Sequence, residues 1–427
     1  MATNTPLEAT ADTAAPVPDD EKIVTHPVRF GVAVFLGTVM WVAPFLGLNT
    51  VLLPARLAEI APDQKVALVS TLAVVGSIVA LVANILFGAF SDLTRSRFGR
   101  RNPWLVVGSI GTFLAVMLLM QASSVAAIVA AWCLFQMFLN ALVAPLVTVI
   151  PDRVPVTQRG SYSAVYGVAM MVGASIGQLL ASRFVTDTTT GMWVMAIILL
   201  LDAPVFWLLA PEQSNKDHPR APFSASMLVE NFVFPVKNCR DFYLALSGKL
   251  LCVLGMFAIT GYQLYILTDY MKQSTEQAGD LIAVISMITL VTGLVFGTIS
   301  GPLSDRLGRR RKVFVIGAAW LIAVAALFPF AVARPWAMLV YAALAGIGQG
   351  VYNSVDQALN YEVLPNPGTA AKDLGILNMA NTGGQILAPA VTGGIVAAFA
   401  GYGPVFLASA AIMVASSLLI APIKKAR

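Results

Sequence analysis

Residues 88–104 read Gly88-Ala89-Phe90-Ser91-Asp92-Leu93-Thr94-Arg95-Ser96-Arg97-Phe98-Gly99-Arg100-Arg101-Asn102-Pro103-Trp104. The stretch Gly301-Pro302-Leu303-Ser304-Asp305-Arg306-Leu307-Gly308-Arg309-Arg310-Arg311 repeats their outline, with Gly301 and Asp305 falling 213 residues after Gly88 and Asp92. Each is a short basic connector between two long apolar runs. Glycine lets neighbouring helices approach closely. An aspartate at a helix end, set against arginines and a neighbouring helix N-terminus, makes charge-assisted contacts that hold one side of a bundle shut. Gly88, Asp92, Arg100 and Arg101, with Gly301, Asp305, Arg309 and Arg310, are therefore the candidate gating residues. Gln136 and Asn140 also recur 213 residues on, as Gln349 and Asn353, which is about half of the 427-residue chain. The register breaks once, because the Asp-to-Gly spacing is longer in the first connector than in the second. A duplicated unit accounts for the pattern.

The rest of the chain is mostly apolar. Hydrophobic residues make up 58% and charged residues 11%, against roughly 25% charged in a typical soluble protein, and mean hydropathy is +0.78. So few charges cannot cover a water-facing surface, so lipid is the expected solvent, crossed by helices of about 20 residues. Twelve apolar runs follow: 28–52, 66–90, 104–122, 125–147, 161–184, 190–210, 242–268, 278–300, 313–332, 336–361, 373–398 and 403–422. The expected fold class is an all-α membrane protein of twelve transmembrane helices in two pseudo-symmetric six-helix bundles. Residues 1–27 form an Ala/Thr/Pro/Asp-rich tail without apolar periodicity and without the features of a cleaved signal peptide. The bundles span 28–210 and 242–422, joined by a linker at 211–241, and 423–427 is a short tail. Within the linker, Phe223 to Val236 suits a short helix lying along the membrane surface or an apolar segment folded against the bundle.

Of 27 lysines and arginines, 21 fall on connectors of one side when the path alternates. Five (Arg56, Lys65, Arg183, Lys272 and Arg334) fall on the other, and Lys249 lies inside a span. By the positive-inside rule both termini are expected in the cytoplasm of a cell membrane. The same asymmetry accounts for the net charge of +5 without a nucleic-acid partner. Cys133, Cys239 and Cys252 form no disulfide framework or zinc motif, and His26 and His218 lie in polar segments. No metal or cofactor is expected. Paired catalytic acids, HExxH and nucleophile arrangements are absent from the spans, so an enzyme is not expected.

These features together resemble the major facilitator superfamily over essentially all twelve spans. The long Asp92-to-Gly99 spacing, the Gly99-Arg100-Arg101-Asn102-Pro103-Trp104 ending and Arg240-Asp241-Phe242 before span seven are similar to the glycoside-pentoside-hexuronide:cation symporters and the related sucrose/proton carriers. The resemblance implies a secondary carrier that moves a sugar or glycoside by alternating access, coupled to a cation. Melibiose-type carriers place cation-binding acids on helices one, two and four, whereas the corresponding runs here contain no Asp or Glu. This favours a proton over sodium. Plant-type sucrose carriers are expected to carry an arginine within helix four, where this chain has Gln136 and Asn140.

Three ionisable residues remain at membrane depth: Asp202, Lys249 and Asp356. Each is expected to face a partner or water, since a charge at mid-span costs roughly 2.5 to 3.5 kcal/mol on insertion scales. Lys249 lies about seven residues inside span seven and Asp356 about five or six before the end of span ten, so both sit roughly 10 Å from the inner surface at 1.5 Å per residue. The resemblance implies that helices seven and ten line the central path. Lys249 and Asp356 are therefore expected to pair, with Asp356 the protonation site; a structural ion pair, or a contact from Asp356 to inner arginines, is the alternative. Asp202, before Ala203-Pro204, is expected to serve packing or to meet a freed carbonyl.

Amides dominate the uncharged polar groups. Asn49, Gln136, Asn140, Gln349 and Asn353, with Tyr262 and Gln263, are the candidate substrate-binding residues, and Gln178, Tyr265, Asn378, Asn381 and Gln385 extend the set. Amides both donate and accept, which suits hydroxyl-rich neutral solutes, and the i, i+4 pairs 136/140 and 349/353 each share one helix face. About half are expected to be interhelical contacts instead. Asp152, Arg159, Glu362, Lys372 and Asp373 flank inner connectors as partners for the gating arginines. The expected activity is transport of a neutral sugar or glycoside with a co-transported proton through the lipid bilayer; the alternative is proton-driven export of hydrophobic or amphipathic compounds.

Overall fold

The structure, a computed structural model, describes residues 26–216, 234–235, 239–307, 311–365 and 370–424. The expected tail up to residue 25, most of the proposed surface helix at 223–236, and Gly308, Arg309 and Arg310 lie outside them. Lipid offers no partner to backbone N–H and C=O groups, so a chain this apolar must satisfy them internally, as helices. The long helices are α1 Pro27–Ile60, α2 Lys65–Leu93, α3 Asn102–Gln121, α4 Val125–Arg153, α5 Val156–Ser182 and α6 Thr188–Leu209. They continue as α7 Arg240–Thr260, α8 Thr275–Arg306, α9 Arg311–Ala331, α10 Pro335–Glu362, α11 Ala370–Phe399 and α12 Gly403–Ile420. Among the described residues, eleven helices are long and apolar enough to cross a membrane. The remaining one, α10, carries Gln349, Asn353, Asp356 and Asn360.

Local chemistry sets the helix starts. Proline occupies the first turn of α1, α3, α10 and α12, where its missing N–H costs nothing. Ser274 and Gln277 cap each other reciprocally before α8 (3.1 and 3.2 Å). Asp187 caps α6 by accepting from the Thr190 backbone N–H at 3.1 Å; hydrogen bonds from Thr190's side chain and backbone hold this exposed carboxyl below its usual range. Two helices run differently from the hydropathy reading. A π-helical turn at Leu48–Leu52 lets α1 continue to Ile60, and α7 is extended by a short helix Gln263–Tyr265 and a π-helical turn Ile266–Tyr270. Such turns insert one residue into a helix without ending it.

The helices form two groups with the same internal pattern. In the first, α1 packs on α5 and α6, α3 on α4 and α6, and α2 on α4; in the second, α7 packs on α11 and α12, α9 on α10 and α12, and α8 on α10. Between groups α5 meets α8 and α11 meets α2, completing a pseudo-twofold arrangement. Small residues permit the tight crossings. Gly293, Gly297 and Gly301 on α8 oppose Gly346, Gly350 and Ser354 on α10, so close that a Cβ on Gly350 would lie 2.3 Å from the Gly293 carbonyl oxygen.

The halves touch on the side away from the arginine-rich connectors. There Ser70 Oγ (α2) and Tyr262 OH lie 2.6 Å apart, and both reach the Pro389 carbonyl of α11, at 2.9 and 3.1 Å. Tyr265 OH donates to the Pro54 carbonyl at 2.8 Å. Lys65 Nζ pairs with Asp269 at 2.8 Å while resting 4.8 Å above the Tyr265 ring. Ser286 Oγ of α8 donates to Gln178 of α5 at 3.2 Å. Towards the arginine-rich side the same helix faces separate: a Cβ on Gly88, Gly160, Gly167 or Gly375 would meet nothing within 4 Å. The result is a cleft between the halves, closed at one face and open at the other.

Candidate functional site

The first basic connector is stapled to its own half. Arg101, nearly buried, reaches Asp92 (2.6 Å), Asp152 (2.8 Å) and Ser91 Oγ (2.8 Å), and Arg100 reaches Asp152 at 2.5 Å. These contacts tie the ends of α2, α3 and α4 together rather than bridging the halves. The second half repeats the device: Arg311 pairs with Glu362 at 2.8 Å, and Arg101–Asp152 and Arg311–Glu362 share a 51-residue spacing. Asp152 and Glu362 are thus already engaged with connector arginines.

Glu212, just past α6, is a residue the motif reading missed. Its carboxylate accepts from the backbone N–H of Arg101 (2.8 Å) and Asn102 (3.2 Å), capping the N-terminus of α3. Asn215 reinforces the join through Ser96 N–H and the Thr94 carbonyl, both at 3.0 Å. Gly99 makes room for it: its φ is +85°, and a Cβ there would sit 2.2 Å from Glu212. Glu212→Ala is expected to cost about 1 kcal/mol through the lost cap, and Gly99→Ala about 1–3 kcal/mol through strain and displacement of the same carboxylate. Thermal unfolding of the purified protein checks both; equal melting temperatures for Gly99→Ala and the parent would refute the packing.

Lys249 and Asp356 meet as the depth arithmetic expects. The ammonium donates to Asp356 Oδ2 at 2.7 Å and Asn360 Nδ2 donates to the same oxygen at 2.9 Å, with both charged side chains almost wholly buried. Tyr352 and Cys252 lie within electrostatic reach of Asp356. Ser416 Oγ of α12 donates to the carbonyl of Gly248, beside Lys249, at 2.6 Å. Asp202 differs: it is fully buried and neither carboxylate oxygen finds a hydrogen-bond partner. Its surroundings are α1 at Gly37 and α3 at Ser109, whose Oγ accepts from Ala203 N–H at 3.2 Å. No freed carbonyl meets it. Because its carboxyl makes no hydrogen bond that an amide would lose, Asp202→Asn is expected to leave the melting temperature at the parental value. A melting temperature several degrees below the parent would show that the carboxyl makes a contact the amide cannot replace.

The candidate substrate residues separate into three groups. Tyr262 and Gln263 are buried at the closed face, where the Tyr262 hydroxyl is committed to Ser70 and Pro389. Asn49 lies half-buried in the π-helical turn of α1, and Gln136 is buried on α4 beside Gly76. Asn140 is held on both sides: its Nδ2 donates to the Gln136 carbonyl at 2.9 Å, and its Oδ1 accepts from Asn84 of α2 at 3.1 Å. The counterparts on α10 are Gln349, half-buried, and Asn353, exposed. On α11, Asn378 accepts from Asn381 at 2.8 Å. Asn84 is the second residue missed from sequence, because a single amide in a long apolar helix carries no periodic signal. Among the described residues no cluster of potential metal ligands occurs.

Comparison with known proteins bears on this arrangement. The Major Facilitator Superfamily matches residues 30–266 and 250–426. No curated protein matches the sequence. Among solved structures, a mutant of the nucleoside transporter NupG superposes with a TM-score of 0.74 at 14% identity, covering 92% of this chain and 99% of that one. The human organic anion transporter MFSD10 (TETRAN) superposes with a TM-score of 0.62 at 15% identity, covering 95% and 100%. At these identities the likeness is one of fold.

Proposed function

Because the chain belongs to the Major Facilitator Superfamily, and is thereby a multi-pass membrane transporter and not an enzyme, we propose that it carries a neutral, hydroxyl-rich solute by alternating access as a proton symporter. The cargo class is a sugar or glycoside. This reading is supported by the amides on the cleft-bordering helices α2 and α11, Asn84 exposed and bonded to Asn140 and Asn378 exposed and bonded to Asn381, while the charged pair Lys249–Asp356 is closed on itself at 2.7 Å. Amides exchange hydrogen bonds with hydroxyls without demanding a counter-charge. A nucleoside, the cargo in the name of one structural neighbour, shares that hydroxylated neutral chemistry. The other neighbour is named for organic anions; in this conformer the Lys249 ammonium is paired with Asp356 rather than offered to a solute.

The arginine-rich face is assigned to the cytoplasm, with both termini there, so the conformer is inward-open. Asp356 is the coupling site: a proton taken up from outside neutralises it, releases Lys249 and lets the two groups part as the halves rock. Inward proton movement supplies about 2.3 kcal/mol per 100 mV. Purified protein in proteoliposomes, loaded at pH 7.5 and diluted into pH 5.5 with labelled mono- and disaccharides or uridine, tests the scheme. Accumulation above equilibrium, collapsed by a protonophore, is expected. Uptake indifferent to the gradient would remove the coupling, and dye extrusion without solute uptake would favour an exporter.

A further inference from the structure

We propose that Asn84 on α2 and Asn378 on α11 form the pair that selects the cargo, gripping adjacent hydroxyls of one solute from opposite halves of the cleft. This rests on the reading of the cargo as neutral and hydroxylated. Ser70 marks the face of α2 that touches the other half. Asn84 lies fourteen residues further, close to four full turns, and so on nearly the same face about 21 Å deeper. Ile78, Val82 and Leu86 expose the opposite face, and Gly88, one turn beyond Asn84, borders open space. On α11, Pro389 marks the contact face. Asn378 lies eleven residues, or about three turns, from it and about 16 Å deeper, and Thr382 and Gln385 between them are exposed along the same stripe. The two amides therefore stand at comparable depth on facing helices.

Their hydrogen bonds fix what each has left to offer. Asn84 spends one N–H on Asn140 Oδ1, and Asn140 is itself anchored to the Gln136 carbonyl. The Asn84 oxygen is left as an oriented acceptor. Asn378 accepts from Asn381 through its oxygen, so its amino group remains as a donor. One half thus presents an acceptor and the other a donor, which is the complement of a vicinal diol. The repeat does not duplicate this feature: 213 residues after Asn84 stands Gly297, whose surface is taken up by close contact with Gly350 of α10.

The test is tracer uptake by full-length protein in proteoliposomes, with glucose, sucrose and uridine as probes, each beside an analogue lacking one hydroxyl. Asn84→Ala and Asn378→Ala are each expected to raise KM for the accepted probe about tenfold, the weight of one hydrogen bond of about 1.4 kcal/mol. Preference over the deoxy analogue is expected to fall to about twofold, and Asn84→Gln to recover part of it. If both alanine variants keep the parental preference, losing only melting temperature or kcat, the residues are structural and the proposal is overturned. If the parent moves none of the probes, the neutral-cargo reading itself fails and this pair fails with it.

Discussion

Asp356→Asn is expected to abolish pH-driven accumulation and to lower the stability of the protein, and the two effects are separable. In the parent the Lys249 ammonium is buried against Asp356 at 2.7 Å, with Asn360 completing the carboxylate's coordination. Removing one partner of such a pair leaves an uncompensated charge in low dielectric, a cost of about 3–5 kcal/mol. Lys249→Met and Asp356→Asn should therefore each melt well below the parent. Replacing both, as Lys249→Met with Asp356→Leu, removes the charges together and is expected to recover most of the loss, because well-packed apolar residues substitute for buried ion pairs at little or no cost. The recovered double variant then isolates the chemistry. It should still exchange labelled for unlabelled solute across the membrane, since exchange needs only alternating access, while an imposed pH gradient should no longer drive accumulation. Gradient-driven accumulation in the double variant would place the coupling proton elsewhere. A double variant as unstable as either single one would instead deny that the pair compensates itself.

That pair was legible from sequence because two rare ionisable residues, one on each of two opposed spans, were set at equal depth by counting residues from the helix ends. The spans were legible for a similar reason: apolar runs are long, and lipid leaves the backbone one way to satisfy itself. The contacts of the first basic connector were not. Arg101 holds Asp92 and Asp152 at once, and that it does so within one half depends on how α2, α3 and α4 converge. Glu212 capping α3 across 110 residues has no signature in its neighbourhood, where it reads as an acid after a proline. Tyr262 stands among the candidate substrate-binding residues. The turn after Thr260 rotates it instead into the joint between halves, and hydropathy periodicity does not register such turns. Asn84 shows the general limit: its role comes from the helix face opposite it, which belongs to the other half of the chain.

Substitution of Gly393 by leucine is expected to stop steady-state transport, whereas the same change at Gly394 should leave it within about twofold of the parent. Gly393 lies where α11 crosses α2 at the closed face, and a Cβ there would come within 2.0 Å of Ser70 Oγ and 3.0 Å of Tyr262 OH. Both atoms belong to the hydrogen-bonded joint with the Pro389 carbonyl, so neither can yield without breaking it. The next glycine points elsewhere: nothing lies within 4 Å of a Cβ on Gly394. Leucine at 393 is thus a wedge between halves, placed where it penalises only the conformer in which they touch. Packed contacts do not deform gradually, and one or two lost hydrogen bonds plus overpacking amount to about 2–4 kcal/mol. A carrier whose two conformers differ by less than that would shift almost entirely to the other one. The shift has its own readout, because Lys65 and Asp269 must part when this face opens. A cysteine placed at Val74, half-buried and one turn inside the joint on the Ser70 face of α2, should react with a membrane-impermeant maleimide added from the outer side in the Gly393→Leu background, and be protected in the parent. Equal labelling in both, together with lost transport, would mean that leucine simply damages α11. Equal labelling with retained transport would mean that the halves do not separate at this face at all, and alternation would then have to occur through some other joint.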